Sequence, residues 1–114
     1  MNDIIYNITF FVDDSAMEAF VPFLRAEFLP AASRAGLSLG HIALVRSQGK
    51  GGDEAPNSFA VQFRCSADAV LDGFRNGAQS ILFDRLRTRF GERVLPFATV
   101  MDILFEPSDD GKDA

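Results

Sequence analysis

Several residue types on which catalytic and metal sites depend are scarce in this sequence of 114 residues. It has no tryptophan, one tyrosine, one cysteine and one histidine. The lone cysteine, Cys65, cannot form an intramolecular disulfide, and its place at the end of an alternating segment predicts a buried structural thiol. The lone histidine, His41, has no cysteine or acidic neighbours at metal-ligand spacing and is expected to be a solvated residue of an edge strand. The sequence therefore predicts no metal site and no cofactor.

Positive charge is scarce as well. The chain has 11 Lys and Arg against 16 Asp and Glu, for a net charge of −5. This balance argues against a nucleic-acid partner, which requires clustered cations. Four arginines do cluster in "DRLRTRFGER", where they suit the last turns of a helix, because its dipole favours cations there. The sequence has neither an apolar run of membrane-spanning length nor a basic-then-apolar leader, so we expect a cytoplasmic protein without a membrane partner.

Phenylalanine, in contrast, is abundant, with 12 residues in a chain that is 47% hydrophobic. This side chain supplies burial without a polar group, so its abundance suits core and interface packing. The length allows one core. We therefore predict a single domain over residues 1–106, followed by an acidic, flexible tail over residues 107–114.

Hydrophobic periodicity and helix-stop signals divide the chain into six elements. The pattern predicts, in order, a strand over 4–12, a helix from Ser15 to Gly36, strands over 37–46 and 58–65, a helix from Ser66 to Gly91, and a strand over 93–105. The order β-α-β-β-α-β predicts an α+β fold with a ferredoxin-like antiparallel sheet and both helices on one face. In that topology strand 4 lies beside strand 1, and strand 1 beside strand 3.

Prolines and glycines fall inside both predicted helices. Proline has no N–H to donate and crowds the preceding turn, so Pro22 should bend the first helix and Pro30 should kink or end it near Leu29. Gly73 and Gly77 have GxxxG spacing in the second helix, which is a weak indication of close helix approach.

The sheet face without helices is predicted to be half apolar. In the last strand the odd positions are the more apolar set and are assigned to the core, leaving the even positions for the open face. The open face would then carry Ile5, Asn7, Thr9, Phe11, Ala60, Gln62, Arg64, Ala98, Val100, Asp102 and Leu104. Such a surface is typical of an interaction site. A homodimer through this face is the simplest expectation, because a twofold interface needs only one self-complementary patch.

Short motifs spread along residues 4–105 resemble a small bacterial family of domains of unknown function. They are "IIYNITFFVDDS", a helix ending in "EFLP", then "FAVQF" and "RFGERVLPFATVMD". Sequences of that family show I-I-Y-N-V-T, H-I-P, A-V-Q and F-x-T motifs, and the family resembles dimeric ferredoxin-like αβ barrels. This chain departs from the pattern where Phe28 precedes Leu29 and Pro30, since similar sequences have histidine there. The resemblance implies a dimeric αβ barrel but no activity.

Five polar residues on the predicted open face form the candidate site: Asn7, Thr9, Gln62, Arg64 and Asp102. Inside a dimer such groups must be hydrogen-bonded, because an unpartnered buried polar group costs free energy. They are therefore either an interface network that sets the dimer register or a site for a small polar or aromatic ligand.

Three hypotheses for function follow. The first is a non-enzymatic homodimeric binding or interaction module. The second is a cofactor-independent small-molecule enzyme of the monooxygenase or isomerase type found on dimeric αβ barrels, with Asp102 and Arg64 as the candidate acid or base. It requires a pocket between sheet and helices. The third is a ligand-sensing regulatory domain.

Overall fold

Four strands and two interrupted helical segments make up this fold. The computed structural model describes residues 3–45 and 57–106, so the predicted tail and most of the loop before the third strand lie outside the described residues. The elements are β1 (Ile4–Val12), α1 (Met17–Phe23), a π-helical turn (Leu24–Phe28), α2 (Leu29–Arg34), β2 (Ser38–Leu44), β3 (Asn57–Cys65), α3 (Asp68–Asn76), α4 (Ala78–Phe90) and β4 (Val94–Asp102).

The strands form one antiparallel sheet in the order β2-β3-β1-β4. Two crossovers place the helical segments over one face of the sheet, which confirms the predicted ferredoxin-like α+β fold. No helix among the described residues is long and apolar enough to cross a membrane.

The core lies between the sheet and the helices. Strand β1 contributes every second side chain to it, and these are all buried: Ile4, Tyr6, Ile8, Phe10 and Val12. Aromatic rings from every part of the fold meet above this strand. The buried ones are Phe10, Phe20, Phe23, Phe28, Phe63, Phe74 and Phe90. Phenylalanine is thus mainly a core residue here, as its abundance predicts.

The first helical segment accommodates Pro30 without ending. A π-helical turn lies immediately before it, and within that turn the Leu29 N–H bonds to the Leu24 carbonyl. The helix then continues to Arg34, so of the two outcomes expected near Leu29, a kink or an end, the helix does not end and is instead irregular there. An i→i−5 turn inserts one extra residue at the point where the proline supplies no donor. Gly36 follows the C-cap residue Ala35 and turns the chain away from the helix with a φ of +102°, which is readily adopted only by glycine.

The second helical segment is broken at Gly77, where a single helix was expected. The Gly77 N–H still bonds back to the Gly73 and Phe74 carbonyls, but its own backbone leaves the helical region and α4 starts in a new direction. A Cβ atom at Gly77 would lie 2.9 Å from the Gly73 carbonyl oxygen. The close approach that the glycine pair allows is therefore within this segment, between two successive turns.

Strand β4 presents the opposite faces from those predicted. Its register with β1 pairs Met101 with Ile5 and Thr99 with Asn7, so the odd positions share the open face. The even positions, including Asp102, lie on the helix side, with Asp102 paired to Ile4. Hydrophobicity misassigned this strand because the uncovered face of the sheet takes the more apolar residues. The predicted open-face positions Ala98 and Val100 are likewise on the helix side, and Leu104 lies beyond the end of β4.

Candidate functional site

The open face of the sheet carries a row of four polar side chains, one from each strand. Cα pairing aligns His41 of β2 with Gln62 of β3, Gln62 with Asn7 of β1, and Asn7 with Thr99 of β4. We call these residues the polar row. Antiparallel partners directly opposite each other place their side chains close together on one face. The polar row therefore crosses the whole sheet at right angles to the strands.

His41 reaches this row through a β-bulge. The register between β2 and β3 shifts between Leu39 and His41, with Gly40 as the extra residue. Without the bulge, simple alternation would turn His41 to the helix side. A Cβ atom at residue 40 would lie 3.2 Å from the Gln62 carbonyl oxygen, so glycine suits the position. The edge-strand place expected for His41 is confirmed, but its alignment with the candidate site was missed.

Asn7 lies near the centre of the face and has an unmet hydrogen-bonding atom. Its Nδ2 donates to Thr9 Oγ1 at 3.1 Å. Its Oδ1 is buried from solvent and has no partner, the one such side-chain atom in the described part of the chain. A buried acceptor left unpaired costs about 1–3 kcal/mol. Asn7 Oδ1 is therefore an acceptor for which a second molecule could supply the donor.

Large apolar side chains surround the polar row on the β1 and β4 side. Phe97 is 65% exposed and Leu95 is 50% exposed, and Met101 and Phe11 lie on the same face. Together with the half-buried Ile5, they form apolar patches on both sides of the polar row, of the kind that monomeric proteins usually cover.

Arg64 lies at one end of the open face between two acids. Its Nε donates to Asp3 Oδ2 at 2.8 Å, and its Nη2 donates to Glu106 Oε2. The hydrogen bonds that the Arg64 guanidinium donates, first to Glu106 and then to Asp3, raise its pKa above its already high ordinary value. The group therefore stays a cation, and it cannot serve as a general base. Among residues 3–45 and 57–106, no three His, Cys, Asp or Glu side chains are grouped to hold a metal ion.

The structure thus brings four of the five predicted site residues to one face: Asn7, Thr9, Gln62 and Arg64. Asp102 is excluded by the register of β4 and pairs with neither Arg64 nor the polar row. The sequence analysis missed His41 and Thr99 in the row, and Asp3 and Glu106 beside Arg64. Asp3 could have been found by extending the alternation of β1 two residues backwards from Ile5. No local signal points to Glu106, which follows the end of β4.

The opposite, helix-covered side of the sheet is filled by aromatic side chains. Gln79 is the one buried polar residue there within the described ranges, and the buried Tyr6 hydroxyl donates to its Oε1 at 2.5 Å. Phe74 packs edge-on against the Tyr6 ring, and the Arg75 guanidinium lies 5.5 Å from the ring centre. Burial raises the pKa of Tyr6 and outweighs the opposing effect of Arg75. Burial also raises the pKa of the Cys65 thiol, which suits the expected structural thiol.

The alkaline titration of Tyr6 offers a test of this packing. The unfolded chain loses the phenol proton near pH 10, whereas the folded chain keeps it to higher pH. The free energy of unfolding should therefore not depend on the ionisation of Tyr6 below about pH 10, and it should fall as the pH rises further. Ultraviolet absorbance of the phenolate measures this directly, because Tyr6 is the only tyrosine. A native titration at or below that of the denatured chain would contradict the buried hydroxyl, and Tyr6→Phe should reduce the alkaline loss of stability.

Comparisons with known proteins agree with this architecture. A family model described as "Domain of unknown function (DUF4286)" matches residues 3–104. Among solved structures, a protein of unknown function from Nitrosomonas europaea is similar over 93% of both chains, with 16% identity and a TM-score of 0.62. Rv0793 from Mycobacterium tuberculosis matches 93% of this chain and 99% of its own, with 21% identity and a TM-score of 0.60.

A third solved structure is a dimeric ferredoxin-like protein from an uncultured marine organism. It matches 93% of this chain and 99% of its own at 14% identity, with a TM-score of 0.53. No curated protein matches the sequence. At these identities the solved structures show a common fold and nothing finer.

Proposed function

The chain belongs to the DUF4286 family of domains of unknown function, and we propose that this member is a non-enzymatic interaction module that works as a homodimer through its open sheet face. The observation that carries the proposal is the uncovered apolar area on β1 and β4 together with the unpartnered Asn7 Oδ1 beside it. Exposure of apolar side chains to water and the missing hydrogen bond of Asn7 Oδ1 both cost free energy. A second molecule that covered this face and donated to Oδ1 would lower both costs.

The size of the face suits a second copy of the chain. Four strands about 4.8 Å apart and about 30 Å long give a flat face of about 600 Å² per protomer, without the additional surface of the side chains. Two such faces bury about 1,200 Å², the lower end of specific protein interfaces. A dimeric ferredoxin-like protein is among the similar solved structures, which supports the same arrangement.

The packing on the helix side favours this interpretation over the enzymatic alternative. A cofactor-independent enzyme on this fold needs an acid or base in a pocket between sheet and helices. The buried side chains that meet there are apolar apart from the Tyr6 hydroxyl, Gln79 and the Cys65 thiol, and Asp102, the acid on that side, is exposed at the end of β4. Burial raises the pKa of Tyr6, and its hydroxyl donates a hydrogen bond to Gln79 Oε1, so it is a poor acid at neutral pH. Arg64 and Asp102, the pair first considered for catalysis, lie on opposite sides of the sheet.

A ligand-binding role for the same face remains the second candidate, because Asn7 Oδ1 could equally accept a hydrogen bond from a small molecule. Native mass spectrometry of freshly purified protein separates the two possibilities. A ligand-free dimer supports the interaction module. A monomer or dimer with a retained small molecule supports the ligand site, and a ligand-free monomer contradicts the homodimer.

Phe97→Asp should separate the protomers. The side chain is 65% exposed on the open face, and a carboxylate there would be buried without a partner in each half of the dimer. We expect the dimer dissociation constant to rise by about 100-fold or more, measured by sedimentation equilibrium.

Ile81→Asp is the matched control for that experiment. Ile81 is 57% exposed, but it lies on α4 on the helix side. It should leave the dissociation constant unchanged, and circular dichroism should show that both variants keep the fold. Equal effects of the two substitutions would contradict dimerisation through the open face.

A further inference from the structure

We infer that the twofold axis of the homodimer runs along the strands, so that β4 of each protomer faces β2 of its partner and Asn7 accepts a hydrogen bond from the partner's Gln62. The inference rests on the proposed homodimer and deepens it. It specifies how the two open faces are oriented and which residues pair across them.

The open face is divided into a bulky half and a small half. Strands β1 and β4 carry the large apolar side chains, namely Ile5, Phe11, Leu95, Phe97 and Met101. Strands β2 and β3 carry four small ones, namely Ser38, Ala43, Ser58 and Ala60, beside His41 and Gln62 of the polar row and Val45 just past the end of β2. The large Arg64 also belongs to this second half, but its guanidinium is held by Asp3 and Glu106.

Twofold symmetry allows two simple ways to stack this face on its copy. An axis perpendicular to the strands places β4 over the partner's β4 and β2 over the partner's β2. Bulky side chains then meet bulky ones, and small residues face each other across a gap. An axis along the strands places the bulky half of each protomer over the small half of the other. Only the second arrangement fills the space evenly between sheets packed about 10 Å apart.

The same axis also pairs the polar rows. Rotation about an axis along the strands leaves positions along the strands unchanged, so each row faces its own copy in reverse order. Because β1 then lies over the partner's β3, Asn7 faces the partner's Gln62 twice in the dimer. The Gln62 amide, which makes no side-chain hydrogen bond to residues 3–45 or 57–106, can supply the donor that Asn7 Oδ1 lacks. Packing thus favours this axis, and the axis also gives Asn7 Oδ1 a donor.

The twist of packed sheets changes this pairing little near the centre. Stacked sheets cross at about 30°. Asn7 and Gln62 flank the midline of the sheet, so the crossing displaces them along the strands by about 1 Å. Phe97, on the outer strand, is displaced by about 4 Å from the partner's Ala43, a distance that its ring can span.

Mixing two single variants tests the axis. Phe97→Ala alone leaves two gaps in its homodimer, and Ala43→Phe alone creates two crowded contacts. With the proposed axis, a heterodimer of the two variants contains one restored Phe–Ala contact and one wild-type contact. We expect native mass spectrometry to show that the squared heterodimer concentration, divided by the product of the two homodimer concentrations, is about tenfold or more above its random value of about 4. A perpendicular axis gives the heterodimer no such advantage, and random proportions would overturn the inference.

A second pair tests the polar contact in the same way and does not depend on Ala43→Phe folding. Asn7→Leu and Gln62→Leu each leave mismatched Leu–amide contacts in their homodimers. Their heterodimer would contain one Leu–Leu and one Asn–Gln contact, so it should also exceed the random proportion. If both pairs mix at random while the wild-type chain is a dimer, the proposed axis is refuted but the homodimer is not. A wild-type monomer refutes the homodimer itself.

Discussion

Phe28→Ala is expected to lower the free energy of unfolding by about 3–5 kcal/mol, because it removes the ring at the centre of the aromatic core. Phe28 is fully buried, and its ring lies 5.7 Å from that of Phe10, 5.8 Å from Phe74, 6.1 Å from Phe83 and 6.3 Å from Phe63. These contacts come from two strands and from both helices of the second helical segment, so no single neighbour can relax to fill the space. Urea unfolding followed by circular dichroism measures the loss.

Phe105→Ala is the matched control, since Phe105 is 89% exposed beyond the end of β4. Its free energy of unfolding should stay within about 0.5 kcal/mol of the wild-type value. A loss at Phe28 no larger than that at Phe105 would show that the aromatic cluster does not hold the helices on the sheet. Phe28 is thus a core residue of this chain.

Gly77→Ala is expected to cost about 1–3 kcal/mol, the usual range for forcing an extra methyl group into a closely packed place. The added Cβ would lie 2.9 Å from the Gly73 carbonyl oxygen, and this neighbour belongs to the backbone of α3. Relief therefore requires a change in the angle between α3 and α4, which would move Gln79 away from Tyr6. Thermal unfolding and the phenolate titration would both report it.

Gly73→Ala provides the opposite expectation from the same helix. A Cβ atom there meets no other atom within 4 Å, so the substitution only removes the entropic cost of glycine in a helix. Stability should rise by about 0.5–1 kcal/mol. If both glycine variants changed stability in the same direction, the break at Gly77 would not depend on the close contact.

The alternation of β1 and β3 was predictable residue by residue, and so was the sheet order. In β1 one face of the segment is wholly apolar while the other contains Asn7 and Thr9, so the buried side is unambiguous. The same contrast fails in β4, where Val94, Ala98 and Val100 alternate with Leu95, Phe97 and Met101. Because both faces of β4 are apolar, periodicity does not indicate which face is buried. The register with β1 decides which face of β4 turns to the helices.

The misplacement of Asp102 and the omission of His41 have this same origin. One depends on which face β4 turns to the helices, and the other on a single extra residue in β2. Local hydrophobicity indicates neither the direction in which β4 faces nor the extra residue in β2. Four residues of the candidate site were nevertheless found, because β1 and β3 are central strands with a clear difference between their faces.

The sequence by itself determined the element order, the fold class, the aromatic nature of the core and the scarcity of groups for metal or nucleophilic chemistry. These properties follow from local periodicity and composition, which each segment carries alone. Only the tertiary structure decided that His41, Gln62, Asn7 and Thr99 form one row, that Arg64 lies between Asp3 and Glu106, and that Asn7 Oδ1 lacks a donor. These relations depend on strand register and on residues far apart in the chain, and they exist only once the strands have paired.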